Sequence, residues 1–191
     1  MARLTRAALV ASVALLLAAC AGAPPGPAVP GPEFAFVDTP FVAEGRLSAR
    51  HGRDAVAVHF AWSHQPPRDD LAVTSPLGQT VAELSGDAAI RRVEARTADG
   101  RHAEAADWTT LTERALGFPL PVTGLAAWLR ATPRAGAAYT VETDREGRVA
   151  VLRQDGWEVV YDYPEAGAKR PSRLRLTDPE FEIRVAVDRW R

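Results

Sequence analysis

From Phe41 almost to the C-terminus, apolar and polar residues alternate with period two, and no other feature of the chain restricts its fold as much. A strand turns successive side chains to opposite faces, so each such run offers one face to a core and one to water. The pattern predicts a first strand over Phe41–Arg50, with Gly45 placed for a bulge. In the second, Val56, Val58, Phe60 and Trp62 share a face opposite Ala55, Ala57, His59 and Ala61, and His51-Gly52-Arg53-Asp54 supplies the hairpin connection. Leu71 and Val73 mark a third strand and Thr80–Leu84 a fourth. Ser85-Gly86-Asp87 reads as a turn before a fifth strand at Ala88–Glu94, and a sixth lies within Arg96–Ala103. Toward the C-terminus five more are marked, by Tyr139 and Val141, by Val149 and Val151, by the face Trp157-Val159-Tyr161-Tyr163, by Leu174 and Leu176, and by Phe181-Ile183-Val185-Val187. Asp155-Gly156 is a strong hairpin signal between two of them.

The period changes once. Trp108, Leu111 and Ala115 are spaced as on one helix face, with Asp107 placed to cap the first turn and Gly117 to end the last. Leu125, Trp128 and Leu129 form the stripe of a second short helix, with Thr123 as its N-cap candidate and Pro133 beyond its end. Every other connection is hairpin length, which makes the sheet antiparallel, and a sheet of about 11 strands curls rather than staying flat. The expected fold is therefore mainly β: a curled antiparallel sheet, an incomplete β-barrel, with two or three short helices covering an apolar cavity. Two short helices are a small cover for so broad a face, which favours apolar space between helices and sheet. The competing expectation is a core packed solid.

The N-terminal part differs. Arg3 and Arg6 precede an apolar run from Ala7 to Ala19, which ends in Leu17-Ala18-Ala19-Cys20. A basic start, a short apolar stretch and small residues before a cut site describe an export signal over residues 1–19, and the run is too short for a spanning helix. Cys20 is the chain's single cysteine. Its position resembles a bacterial lipobox, which implies cleavage before Cys20 and lipid attachment to its thiol; the alternative is an ordinary secretory signal beside a leftover thiol. Residues 20–40 read as a tether, because 21–32 hold five prolines and three glycines. Extended, it reaches at most about 60 Å. Residues 41–191 make one domain. Without Arg3 and Arg6 the basic residues fall from 23 to 21 against 24 acidic ones, so no basic field is present for nucleic acid.

Chemistry-bearing patterns are missing from the sequence. His51, His59, His64 and His102 lack metal-site spacing, Asp69-Asp70 reads as a solvated strand start, and Ser85 sits outside any nucleophile elbow. No catalytic residue, metal or cofactor is expected, and the chain is not read as an enzyme. One loop stands out. Ser75-Pro76-Leu77-Gly78 puts a leucine at a hairpin tip, where side chains ordinarily face water and are polar. Either Leu77 folds back on the core, or Pro76, Leu77 and Gly78 form an apolar tip for a membrane or a partner.

Several motifs, in order, resemble the LolB family of outer-membrane lipoprotein receptors. They are Gly45-Arg46-Leu47-Ser48, Phe60-x-Trp62, Leu71-x-x-x-Ser75-Pro76-Leu77-Gly78, Leu116-Gly117-x-Pro119-x-Pro121-x-x-x-Leu125-x-x-Trp128-Leu129, Gln154-x-Gly156-Trp157-x-Val159-x-Tyr161 and the closing Trp190. The resemblance spans about Phe41 to Trp190. It implies a half-barrel whose cavity receives the acyl chains of client lipoproteins from the soluble periplasmic carrier LolA. It also implies a monomer, lipid-anchored through Cys20 and facing the periplasm, that releases cargo into the inner leaflet of the outer membrane. In the family an exposed loop leucine serves insertion, and Leu77 matches it. The implied acyl-cavity lining is Val58, Phe60, Trp62, Leu71, Val73, Leu125, Trp128, Leu129, Trp157, Val159, Tyr161, Ile183 and Val185. Plain core packing is the competing role for each. Arg130, Arg134, Arg173 and Arg175 are the candidates to meet an acidic carrier mouth. The family's helix before the first strand has little room in Glu33–Pro40. A lipid-anchored protein that binds another apolar ligand, or a structural component of the cell envelope, is the alternative.

Overall fold

The computed structural model describes residues 34–191. The expected signal, Cys20 as the expected lipidation residue, and most of the expected tether lie outside the described residues. Eleven strands form one antiparallel sheet: β1 (Phe41–His51), β2 (Asp54–Gln65), β3 (Arg68–Thr74), β4 (Thr80–Asp87), β5 (Arg92–Thr97), β6 (His102–Ala105), β7 (Tyr139–Thr143), β8 (Val149–Gln154), β9 (Trp157–Asp162), β10 (Arg173–Thr177) and β11 (Phe181–Trp190). Their spatial order is β6-β5-β4-β3-β2-β1-β11-β10-β9-β8-β7. The first and last strands therefore pair at the centre, and β6 and β7 are the two unjoined edges, so the barrel stays open. Between these edge strands the chain forms α1 (Trp108–Leu116) and α2 (Val122–Trp128).

Alternation becomes burial directly. In β1, Phe41, Ala43, Leu47 and Ala49 are buried, and in β2 Val58, Phe60, Trp62 and His64 are. The register of β1 on β11 shifts between Glu44 and Gly45, where a bulge was expected. Asp155 and Gly156 both hold left-handed backbone in the β8–β9 turn, as their hairpin requires.

Two boundaries differ from the sequence expectation. β4 does not turn at Ser85-Gly86-Asp87 but runs through it, and β5 starts only at Arg92. Gly86 continues the inward face of Ala82 and Leu84, and a Cβ there would collide with the Trp108 indole of α1. The residue that looks like a turn glycine is the flat seat of a helix. In α2, Thr123 is not the cap. The helix begins at Val122 behind Pro121, and no side chain caps it. α1 does follow its signals: the Asp107 carboxylate accepts from Thr110 N at 2.8 Å, and Gly117 closes the helix in left-handed conformation.

No helix precedes β1 among the described residues; 34–40 are irregular. Pro40 and the shortness of the segment explain this. It is nonetheless fastened. Phe34 and Phe36 pack edge-on against Tyr139, and Arg130 Nη1 donates to the Thr39 carbonyl at 3.2 Å.

Candidate functional site

The concave face is built from lateral rows, each one residue per strand. Cross-strand partners give one row as Val58–Leu47–Val185–Leu174–Tyr161. A second runs Ala82–Val73–Phe60–Gly45–Val187, and a third Ala95–Leu84–Leu71–Trp62–Ala43. Residues of α2 and of the connection before it face these neighbouring rows. The result is a cavity with an entirely apolar wall. Leu47, Val58, Phe60, Trp62, Leu71, Val73 and Val185 rise from the sheet, while Leu116, Leu120, Val122, Leu125 and Leu129 come down from the helical side.

Its free volume is about 30 Å³. That is roughly one water molecule's share of the liquid, and far less than a fatty chain needs. The helices thus do cover an apolar cavity, but the roomy trough expected from their shortness is nearly filled. The reason lies in the connecting segments. Phe118 and Leu120 between the helices, and Ala131 and Pro133 after them, are buried alongside the helix stripes.

Of the expected lining residues, Val58, Phe60, Trp62, Leu71, Val73, Leu125, Leu129 and Val185 surround this cavity. The other five stand elsewhere. Ile183 and Val159 are fully buried one row further along the strands, with Ala49 and Leu176. Trp157 is half-buried at the β8–β9 hairpin, and Tyr161 is buried at the end of the first row. Trp128 is buried as a fastening, its Nε1 donating to Gln154 Oε1 at 2.9 Å. Sequence reasoning missed Leu47, Leu116, Leu120 and Val122. Leu47 was within reach, since its parity in β1 matches the inward Phe41. Leu120 lies between two prolines, where no periodicity exists to mark it.

The loop between β3 and β4 holds its leucine outward. Ser75 N donates to the Gln79 carbonyl at 2.8 Å and Gly78 N to the Ser75 carbonyl at 2.9 Å, with Gly78 in left-handed conformation. Leu77, at the tip of this closed loop, is 88% exposed, the largest exposure of any large apolar residue among those described. It does not fold back on the core.

Buried polar groups are few. Thr112 donates to the Trp108 carbonyl and accepts from Leu120 N at 2.7 Å, tying α1 to the segment before α2. Gln154 accepts from Trp128 and from Arg134 N, and donates to the Arg134 and Ala137 carbonyls. His64 lies between two carboxylates, 2.7 Å from Asp69 and 2.8 Å from Asp38. Burial opposes its charge, but the bonds to Asp69 and Asp38 outweigh it and raise the imidazole above its ordinary value. Asp69 also accepts from Trp62 Nε1, and Asp38 lies 3.5 Å from Arg130. Among the described residues, Glu94, His102 and Glu104 are the three that bring ligand atoms near one another, but Arg92 already pairs with both carboxylates.

The four arginines expected at a docking face divide. Arg130 is held by Asp38, Thr39 and Ala126, and Arg134 forms a two-pronged pair with Asp155. Arg173 and Arg175 alternate with inward Leu174 and Leu176, so they stand on the outer face, without an ion pair among the described residues.

A family model described as outer membrane lipoprotein LolB matches residues 39–190. The chain belongs to the LolB family. A LolB outer-membrane lipoprotein from Chromobacterium violaceum is 34% identical over 186 residues, covering 97% of this chain and 98% of its own. One from Thiobacillus denitrificans is 37% identical over 188 residues, covering 97% of both chains. Among solved structures, a DUF1329 family protein from Desulfovibrio piger superposes with a TM-score of 0.50 at 8% identity, over 80% of this chain and 85% of that one, a likeness of fold alone. As a LolB-family member the chain is an outer-membrane lipoprotein receptor.

Proposed function

We propose that this LolB-family receptor takes the acyl chains of client lipoproteins from the periplasmic carrier LolA into the space beneath α2, then delivers them to the inner leaflet of the outer membrane. The observation that carries this reading is a wall of hydrocarbon closed by two short helices rather than by sheet. Binding and transfer, not catalysis, are the work of such a site.

Loading requires the helices to lift, because the resting cavity holds about 30 Å³. Each methylene taken out of water contributes about 0.8 kcal/mol, so a chain of a dozen or more supplies roughly 10 kcal/mol toward displacing them. The same gain is available in a bilayer, so the cargo leaves when the membrane offers it without the cost of holding the helices open. No nucleotide is needed for this downhill path.

With Cys20 as its lipid anchor and the domain facing the periplasm, the receptor is within reach of both carrier and leaflet. Leu77 is the residue that enters the leaflet. Its loop is rigid enough to present the side chain and too small to disturb the barrel. Replacing Leu77 with Glu separates the steps. Uptake of a lipoprotein from the carrier is expected to stay normal, while its incorporation into liposomes falls at least tenfold. Normal incorporation by a folded Leu77→Glu protein overturns the insertion role.

A further inference from the structure

Among the described residues, one buried side-chain polar group has nothing to bond. Thr112, Gln154 and His64 are buried and each has hydrogen-bond partners. The hydroxyl of Tyr161 is buried and has none, alone in this among the buried side-chain polar atoms of the described residues. Tyr163, two residues further on and just past the end of β9, shows what a satisfied neighbour looks like: its hydroxyl donates to the Val149 carbonyl at 3.0 Å. A phenol needs an acceptor in a dry interior, and leaving it without one is costly. Phenylalanine would fill the same space without that penalty.

The position of Tyr161 gives the orphan a use. Its row runs on through Leu174 to Val185, Leu47 and Val58, and the last three line the apolar cavity. Neighbouring strands are about 4.8 Å apart, so the Tyr161 backbone lies roughly 10 Å from that of Val185 along the row. A chain lying along this row has its hydrocarbon against Val185, Leu47 and Val58. Laid with its head end away from Val58, the chain brings the junction between chain and head toward Tyr161. That junction is an ester or amide carbonyl, an acceptor without charge. Burial holds the phenol protonated, well above its ordinary titration range, so it is a donor throughout the physiological range.

Resting on the acyl-carrying reading above, we infer that the Tyr161 hydroxyl, outside the resting cavity wall at the end of the row that leads from it, is the polar anchor for bound cargo, donating to an acyl carbonyl of the client's lipid and so fixing how deep the chains sit. Tyr161 is then a positioning residue that distinguishes acylated from merely greasy ligands.

The test uses the full chain and two synthetic lipopeptides of equal chain length, one with ester-linked acyl chains and one with ether-linked alkyl chains that lack the carbonyls. The wild-type protein is expected to bind the ester probe about tenfold more tightly than the ether probe, equivalent to about 1.4 kcal/mol. Tyr161→Phe is expected to bind both equally, at the level of the wild type with the ether probe, and to unfold at the same or a higher temperature. Persistence of the ester preference in Tyr161→Phe overturns the inference. So does a clear loss of stability, which would reveal an internal partner for the hydroxyl. Equal wild-type affinity for both probes leaves the acyl-carrying reading standing and removes Tyr161 from it. Failure of the wild type to bind either probe removes both.

Discussion

Leu77 and Leu129 are the same side chain held in opposite solvents. Leu77 is 88% exposed at the tip of the β3–β4 loop, and Leu129 is 1% exposed at the C-terminal end of α2. What differs is the element that holds each one. The loop is closed by its own backbone hydrogen bonds, so its leucine stays outside at no cost to the core. Leu129 is the C-cap residue of a helix of seven residues, a length too short to persist without its packing. One apolar surface is thus exposed and another is covered by short elements, an arrangement that suits the proposed function.

The largest test of this contrast is to truncate both leucines. Leu129→Ala is expected to cost about 2–5 kcal/mol of unfolding free energy, as for a buried leucine that leaves a hole. Leu77→Ala is expected to stay within about 0.5 kcal/mol of the wild type, because no contact is lost. Urea unfolding of the two proteins decides it. Equal losses would mean that the loop leucine is packed in solution, and the contrast would fail.

A smaller effect is expected from the bond that pins α2. Gln154 accepts from Trp128 Nε1 at 2.9 Å and from Arg134 N at 2.7 Å, so it clamps both α2 and the segment after it to the end of β8. Gln154→Ala leaves these donors unpaired, at about 1–3 kcal/mol for a buried one. Hydrogen exchange should quicken in α2 and in 129–137 while β1 and β11 keep their protection. Unchanged exchange in α2 would show that the helix is held by packing alone, and that the clamp does not govern opening.

These residues also show what the sequence made legible. Strand parity placed Phe60, Trp62 and Val185 on the inner face, and Asp155-Gly156 placed a hairpin, because both depend on neighbours along the chain or across one turn. The filling of the trough depends on contacts without period. Phe118, Leu120 and Pro133 read as connection, yet they plug the space that two short helices would leave. Gly86 read as a turn because its partner, Trp108, lies on an element that arrives later in the chain. Trp128 was read as lining, since the amide that claims its indole N–H comes from another strand. The family motifs reached further than periodicity here, although they too could not say how tightly the resting cavity is closed.

The smallest effect expected is one of pH, and it concerns the segment before β1. Protonated His64 donates to Asp69 and Asp38 together, joining 34–40 to β2 and β3. Neutral His64 has one N–H and must present a lone pair to the other carboxylate. Asp38 is the more exposed of the two, so its bond is the one to break. Because the folded imidazole titrates above its unfolded value of about 6.5, its contribution is complete below that pH and fades as pH rises through the folded value. Relative to His64→Gln, the wild type should therefore lose stability as pH rises from about 6.5 upward, while Arg130 still holds the Thr39 carbonyl. The measurement is the difference in unfolding free energy between the two proteins across that interval. A flat difference, or one that grows with pH, would mean that the segment is held by Arg130 and the Phe34–Tyr139 contact without help from the histidine's charge.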